Sequence, residues 1–368
     1  YEHHAVLPEW QGKAVRRQET PWGRITRVHP FPTRDKLNLP RRAAGFAAFC
    51  ALDSAVAARG GHVDVVFAMS PPLPMAATGW LASLARRAPL VLNVQDIFPD
   101  VAVELRLLTN QRMISAATAL ERWSYARCDA VTVLSDDMRA NVSAKLRRPE
   151  KVHVIPNFVD LDAIAPQPSE NAYRAEYGLS GKTVVMYAGN VGMSQSVELL
   201  IDAARTTVDR DDVVYVVNGG GSTLADVEVR AAGLRNVVFV PMQPIERLPE
   251  VLAAADIHVV PLKAGLSRSS VPSKTYSILA AGRPVLASVD ADSEAQRVVD
   301  AAGAGIAVGP EDSAAFCSAL VRLLDDREGR ESMGRAGRVY IEKTASAAGV
   351  AATYLDLFAR LGSARRRR

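Results

Sequence analysis

Short apolar runs rich in valine and isoleucine alternate along this chain with longer stretches whose apolar residues recur every three to four positions. That alternation predicts parallel strands joined by helices that cover both faces of a sheet. In the first half, strands are expected at 24–28, 63–69, 89–94, 129–134 and 152–156. The second half repeats the pattern at 183–189, 213–219, 237–241, 256–262, 284–289 and 305–308. Two doubly wound α/β domains follow, over residues 1–157 and 158–345, with an amphipathic helix and a basic tail over 346–368. Between the two, PNFVDLDAIAPQPSENAYR has three prolines and no periodicity, which puts a hinge near 156–169.

A chain of 368 residues with 48% hydrophobic content is large enough for two buried cores. No run of about 18 apolar residues occurs, so no membrane-spanning helix is predicted. Cys50, Cys128 and Cys317 are scattered, without a CxxC or Cys/His cluster, which argues against a disulfide framework or a zinc site and fits a reducing cytoplasm. The chain opens on Tyr1 without the zones of a signal peptide, and an upstream segment is expected.

Charge is uneven. Residues 1–157 carry 21 Lys+Arg against 14 Asp+Glu, a net +7, and the remainder is −3. The excess points to anionic partners, phospholipid surfaces or phosphates, while 6% aromatic residues offer little stacking surface for nucleic acid. The four arginines at 365–368 are read as a disordered end, or as a membrane-surface contact at about 1 kcal/mol per basic residue.

Three stretches of the second half could hold an anion. Strand 183–189 runs into NVGMSQSVELLIDAA, where Gly189 and Gly192 allow close backbone approach and a helix starting near Ser194 would present unpaired N–H groups; a tight turn alone also explains the glycines. Gly219, Gly220 and Gly221 follow the next strand, either for a bulky ligand or as a flexible loop. In SSVPSKTYSILAAGRPV, Ser269 or Ser270 is expected to cap a helix that Gly282 ends, with Lys274 in its first turn. A cation there opposes the helix dipole unless an anion joins it; the alternative is a solvated surface lysine. In the first half, Gln95 and Asp96 stand at the end of a buried strand, where Asp96 could touch a sugar hydroxyl or cap a helix. Asp160/Asp162 and Asp290/Asp292 have Asp-x-Asp spacing, but no histidine or third acid joins either pair, and no metal site is assigned.

With SPPLPMA, VLNVQDIFPDVAVEL, VHVIPNFVD, VVMYAGNVGMSQSVELLIDAA, ADIHVVPLK and VPSKTYSILAAGRPVLAS in order, the chain resembles family 4 glycosyltransferases of the GT-B fold, in the branch making bacterial exopolysaccharide, O-antigen and colanic-acid-type units. The resemblance implies two facing Rossmann-like domains, nucleotide-sugar donor on the second and acceptor on the first. It matches Gly189, Asn190, Gly192 and Gln195 to a diphosphate loop, Gly219 to Gly221 to a nucleotide-side loop, Ser273, Lys274 and Ser277 to a donor helix, and Asp96 to a group near the reacting sugar. Ser269 and Ser277 stand where many members have glutamate, and Asn190 and Gln195 where others have arginine and lysine, so Lys274 gains weight. The resemblance also implies an opening strand and helix that this chain lacks.

The expected activity is metal-independent, retaining hexosyl transfer from a nucleotide diphosphate sugar to a lipid-linked or glycan acceptor. It needs no cofactor and no nucleic acid, and takes place in the cytoplasm at the inner face of the membrane. A nucleotide-sugar epimerase of the same architecture and a non-catalytic sugar-nucleotide-binding protein are the alternatives.

Overall fold

The computed structural model describes residues 12–28, 39–59 and 61–366. The first unit begins with β1 (Val15–Thr20) and β2 (Gly23–Val28), then α1 (Leu39–Ala58), β3 (Val66–Ser70), α2 (Met75–Arg86), β4 (Leu90–Val94), α3 (Asp100–Glu104), α4 (Gln111–Arg127), β5 (Ala130–Val133), α5 (Asp136–Ala144) and β6 (Val152–Val154). The second holds α6 (Ala172–Glu176), β7 (Thr183–Asn190), α7 (Glu198–Thr206), β8 (Val213–Gly220), α8 (Leu224–Arg230), β9 (Val237–Val240), α9 (Leu248–Ala253) and β10 (Ile257–Pro261). It continues with α10 (Lys274–Ala280), β11 (Val285–Ser288), α11 (Glu294–Ala302), β12 (Gly305–Val308), α12 (Ser313–Asp325), α13 (Arg327–Thr344) and α14 (Ala347–Arg366).

Both main sheets are parallel. The first has the order β3-β4-β5-β6 and the second β12-β11-β10-β7-β8-β9. In the second, order reverses between β7 and β10, and a crevice opens at the carboxyl ends of strands at such a switch point. Uninterrupted apolar sequence explains why the strands sit inside: Leu90 to Leu92 and Val184 to Tyr187 are all fully buried. Helix α12 shows the complementary rule, burying Phe316, Ala319, Leu320, Leu323 and Leu324 at helical spacing. Local signals set the ends of α11, with the Ser293 side chain accepting from the Gln296 N–H and Gly303 closing the helix at φ 57°.

One expected strand lies elsewhere. Residues 24–28 pair antiparallel with β1 in a separate two-stranded hairpin, not in the parallel sheet. Pro21 and Trp22 separate the two strands, and the Thr20 hydroxyl donates to the Gly23 carbonyl across the turn at 2.6 Å, so this hairpin is built locally.

The connecting stretch 156–169 has no helix or strand, yet it is held. The Arg338 guanidinium on α13 donates to the carbonyls of Ile164, Leu161 and Ala280. Helix α14 then crosses back to the first sheet, where Val350 and Leu357 cluster with Val91, Ala130 and Ile155. The Tyr354 hydroxyl accepts from Asn93 Nδ2 at 2.8 Å, and Phe67 meets the rings of Tyr354 and Phe358. The side chains of 364–368 lie outside the described residues, and with them the reading of the arginine tail.

Because Leu357 is 3% exposed, Leu357→Ala is expected to cost about 2–5 kcal/mol. Urea unfolding checks it, and an unchanged midpoint would mean that α14 does not stabilise the first sheet.

Candidate functional site

A cavity of about 310 Å³ lies between the two units, lined by Gln95, Asp96 and Asn157 from the first and by Ser194, Gln195, Ser270, Ser273 and Lys274 from the second. The backbone joins the units here: Asp96 forms an isolated antiparallel bridge with Ser270, and the Ile97 N–H donates to the Ser269 carbonyl at 2.8 Å. Asp96 caps no helix, since α3 begins after Pro99. Its position follows from β4, whose apolar run ends at Val94 and delivers the next polar residues to the crevice.

Lys274 is the first residue of α10, the helix that Gly282 ends at φ 68°. Neither Ser269 nor Ser270 caps it, contrary to the sequence expectation; Ser273 occupies the cap position without a side-chain bond. Ser269 is fully buried and donates its hydroxyl to Glu104 on α3 instead. Burial is the main reason that the Glu104 carboxyl is pushed up. The stem of Lys274 is partly exposed, but its Nζ is shielded and has no hydrogen-bond partner. The ammonium lies 3.9 Å from the centroid of the Tyr187 ring. A Cβ on Gly189 would stand 3.5 Å from Nζ, so the cation faces the bare backbone of that turn. Burial pulls the Lys274 ammonium down to about 7.

The glycine turns lie beside this cation because β7 pairs with β8 along its whole length, Gly189 opposite Gly219 and Asn190 opposite Gly220. Gly189 at φ 132° needs the absence of a side chain. The helix expected near Ser194 begins only at Glu198, and its first turn already carries that residue's carboxylate. Two of the turn's amides are also engaged: the Val191 N–H donates to the Gly220 carbonyl, and the Gly192 N–H to Gln195 Oε1 at 3.1 Å. Gln195 therefore closes its own turn. The glycines after β8 answer to their neighbours: a Cβ would fall 1.9 Å from the Gly189 carbonyl oxygen at Gly219 and 2.2 Å from that of Val191 at Gly221. Gly220 alone faces open space.

Not every predicted residue reaches the cavity. Ser277, Gly189, Asn190, Gly192 and Gly219 to Gly221 are not among its lining residues, and of these Gly189 faces the Lys274 ammonium. Asp160 accepts the N–H groups of Asp162 and Ala163, and Asp290 those of Gly265 and Ser267. Both acids therefore serve as turn anchors.

Residues 1–163 match the family model described as Glycosyltransferase Family 4, and residues 182–326 that of Glycosyl transferases group 1. The chain belongs to glycosyltransferase family 4. It is 28% identical over 277 residues to WcaI of Escherichia coli (strain K12), named as a colanic acid biosynthesis glycosyl transferase, covering 73% of this chain and 68% of that one. The glycosyltransferase WbjE of Pseudomonas aeruginosa is 29% identical over 307 residues, 80% of this chain and 74% of its own. Among solved structures, Anabaena Alr3699/HepE in complex with UDP-glucose superposes with a TM-score of 0.69 at 16% identity, over 85% of this chain and 82% of that one. The fold is GT-B.

In this family 4 glycosyltransferase, sequence reasoning missed Tyr187 and Glu104. Tyr187 looks like one more apolar strand residue, and nothing in the sequence shows that its buried ring meets Lys274. Its hydroxyl donates to the Asn190 carbonyl at 2.5 Å, shaping the turn while the ring faces Lys274. Glu104 gave no signal, because its partner Ser269 is 165 positions away.

Gly219→Ala is expected to destabilise by about 1–3 kcal/mol, while Gly220→Ala stays within about 0.5 kcal/mol of the parent. Chemical denaturation of the pair decides this, and equal effects would refute the crowding. A second expectation concerns pH. The unfolded chain keeps its proton on residue 274 up to about 10.5 and the folded chain releases it near 7, so the unfolded state binds more protons between those values. This lysine's contribution to stability therefore rises with pH across that window and is most unfavourable below it. Lys274→Met should raise the urea midpoint at pH 6 and lose the advantage near pH 10. A variant no more stable than the parent at pH 6 would show that the ammonium is hydrated.

Proposed function

We propose that this enzyme transfers a hexose from a nucleotide diphosphate sugar to a lipid-linked or glycan acceptor in cell-surface polysaccharide synthesis, with retention at the anomeric carbon. The observation that carries the reading is the buried, unpartnered Lys274 ammonium beside the Gly189 turn. A buried cation without a counterion costs free energy, and a diphosphate reaching it supplies the missing charge and hydrogen bonds. The relative named for colanic acid biosynthesis and the solved neighbour in complex with UDP-glucose support the polysaccharide and nucleotide-sugar parts of this reading.

Charge builds on the diphosphate as the bond between the anomeric carbon and the phosphate oxygen breaks. Lys274 meets that charge from a fixed position, so little reorganisation is needed during reaction. The Gly192 N–H joins it when Gln195 releases its bond. Asp96, on the first unit's wall, orients the transferred sugar, and Ser273 at the start of α10 contacts the donor. In this reading Lys274 supplies the positive charge that meets the departing diphosphate. Among the described residues no helix is long and apolar enough to cross a membrane, and we place the enzyme at the cytoplasmic membrane face, against an anionic surface.

Lys274→Ala is expected to lower turnover by about 100-fold or more, measured as acceptor-dependent release of nucleotide from UDP-, GDP- and dTDP-sugars in the presence of a chelator. Unchanged turnover would remove Lys274 from the reaction. Isomerised donor appearing without acceptor would replace transfer by epimerisation.

A further inference from the structure

The interdomain cavity opens at the carboxyl ends of the first sheet's strands. A larger cavity, about 1160 Å³, opens at the opposite edge, where Pro89, Asp129 and Lys151 stand immediately before β4, β5 and β6. Its volume exceeds the ordinary range of small-ligand pockets, about 300–1,000 Å³. Five exposed arginines line it, and apart from Arg127 on α4 they come from three places: Arg87 follows α2, Arg122 lies on α4, and Arg147 and Arg148 follow α5. None of the four side chains has an ion-pair or hydrogen-bond partner among the described residues. An abundance of arginine does not explain this, because Arg174, Arg210, Arg230, Arg247, Arg297 and Arg338 each hold a carboxylate elsewhere.

The surroundings reinforce the positive charge. The Lys151 ammonium donates to the carbonyls of Tyr125 and Cys128 at the end of α4, at 2.6 and 2.9 Å. Arg127 is fixed over the rings of Trp80 and Trp123, 5.3 and 5.8 Å from their centroids. The acids of the wall are Asp129 and Glu150, and Asp129 already accepts the Leu90 N–H at 2.8 Å. Unpaired like charges sharing one concavity repel, and a multiply charged anion reverses that cost.

We infer that this basin is a second binding site, for a discrete oligophosphate-class anion carrying three or more negative charges. A concave wall with arginines converging from three elements suits such a ligand better than a planar bilayer. The volume also exceeds what one phosphate would fill. The inference does not depend on the role of Lys274.

Calorimetric titration of sodium tripolyphosphate into the full chain tests it, comparing Arg122→Gln/Arg147→Gln/Arg148→Gln with Lys274→Ala. Loss of charge-assisted contacts should weaken the basin's binding event by about tenfold or more in the arginine variant, while a binding event of the parent's affinity should persist in Lys274→Ala even where the interdomain site loses its own. Arg87→Gln alone should weaken it in the same direction. All four arginines are exposed, so melting temperatures should match the parent. Undiminished tripolyphosphate binding in the arginine variant would overturn the inference. So would arginine-dependent sedimentation with phosphatidylglycerol vesicles in the absence of tripolyphosphate binding, which would make the basin a membrane-facing surface.

Discussion

The uncompensated burial of one ammonium is the constraint around which the crevice is arranged. Lys274 loses its hydration at the start of α10 and receives no hydrogen bond in return, only the face of Tyr187. A cation over an aromatic ring recovers about 0.5–2 kcal/mol, less than desolvation of a charge costs. A buried, strongly shifted group beside a cleft is the kind of position that functional sites favour. Tyr187 couples this cation to the glycine turn, since the same side chain that faces Nζ anchors the Asn190 carbonyl.

The cation is also tied to the contact between the units. The segment leading into α10 is tethered at both ends: Asp290 accepts the Gly265 and Ser267 amides, and the Ser269 carbonyl accepts from Ile97 across the boundary. Asn141 donates to the Arg268 carbonyl, and Arg297 pairs with Asp137 in the first unit. Separating the units breaks the Asp96 to Ser270 bridge and pulls on the backbone four residues before Lys274. The contact between the units and the placing of Lys274 are therefore structurally linked.

Charge is partitioned along the first sheet. Its carboxyl edge meets the second unit with Gln95 and Asp96, and its amino edge carries the arginine basin. Unpaired positive charge thus stands in two separate places among the described residues, one shielded between the units and one open.

Apolar runs and their spacing were enough to read both parallel sheets, because a strand buried on both faces must be apolar throughout, as at Leu90 to Leu92 and Val184 to Tyr187. The end of α10 at Gly282 was legible too, because a helix stop of that kind is set by neighbours in sequence. What the sequence could not decide were facts of distance. That Ser269 bonds Glu104 rather than capping a helix, and that Gly219 and Gly221 are required by the adjoining strand, depend on residues brought together from far along the chain. The sequence by itself determined which side chains are apolar, which turns are glycine and where a lysine stands. Only the tertiary structure decided that this lysine loses its water, because desolvation depends on everything packed around an atom and not on the residues beside it in the chain.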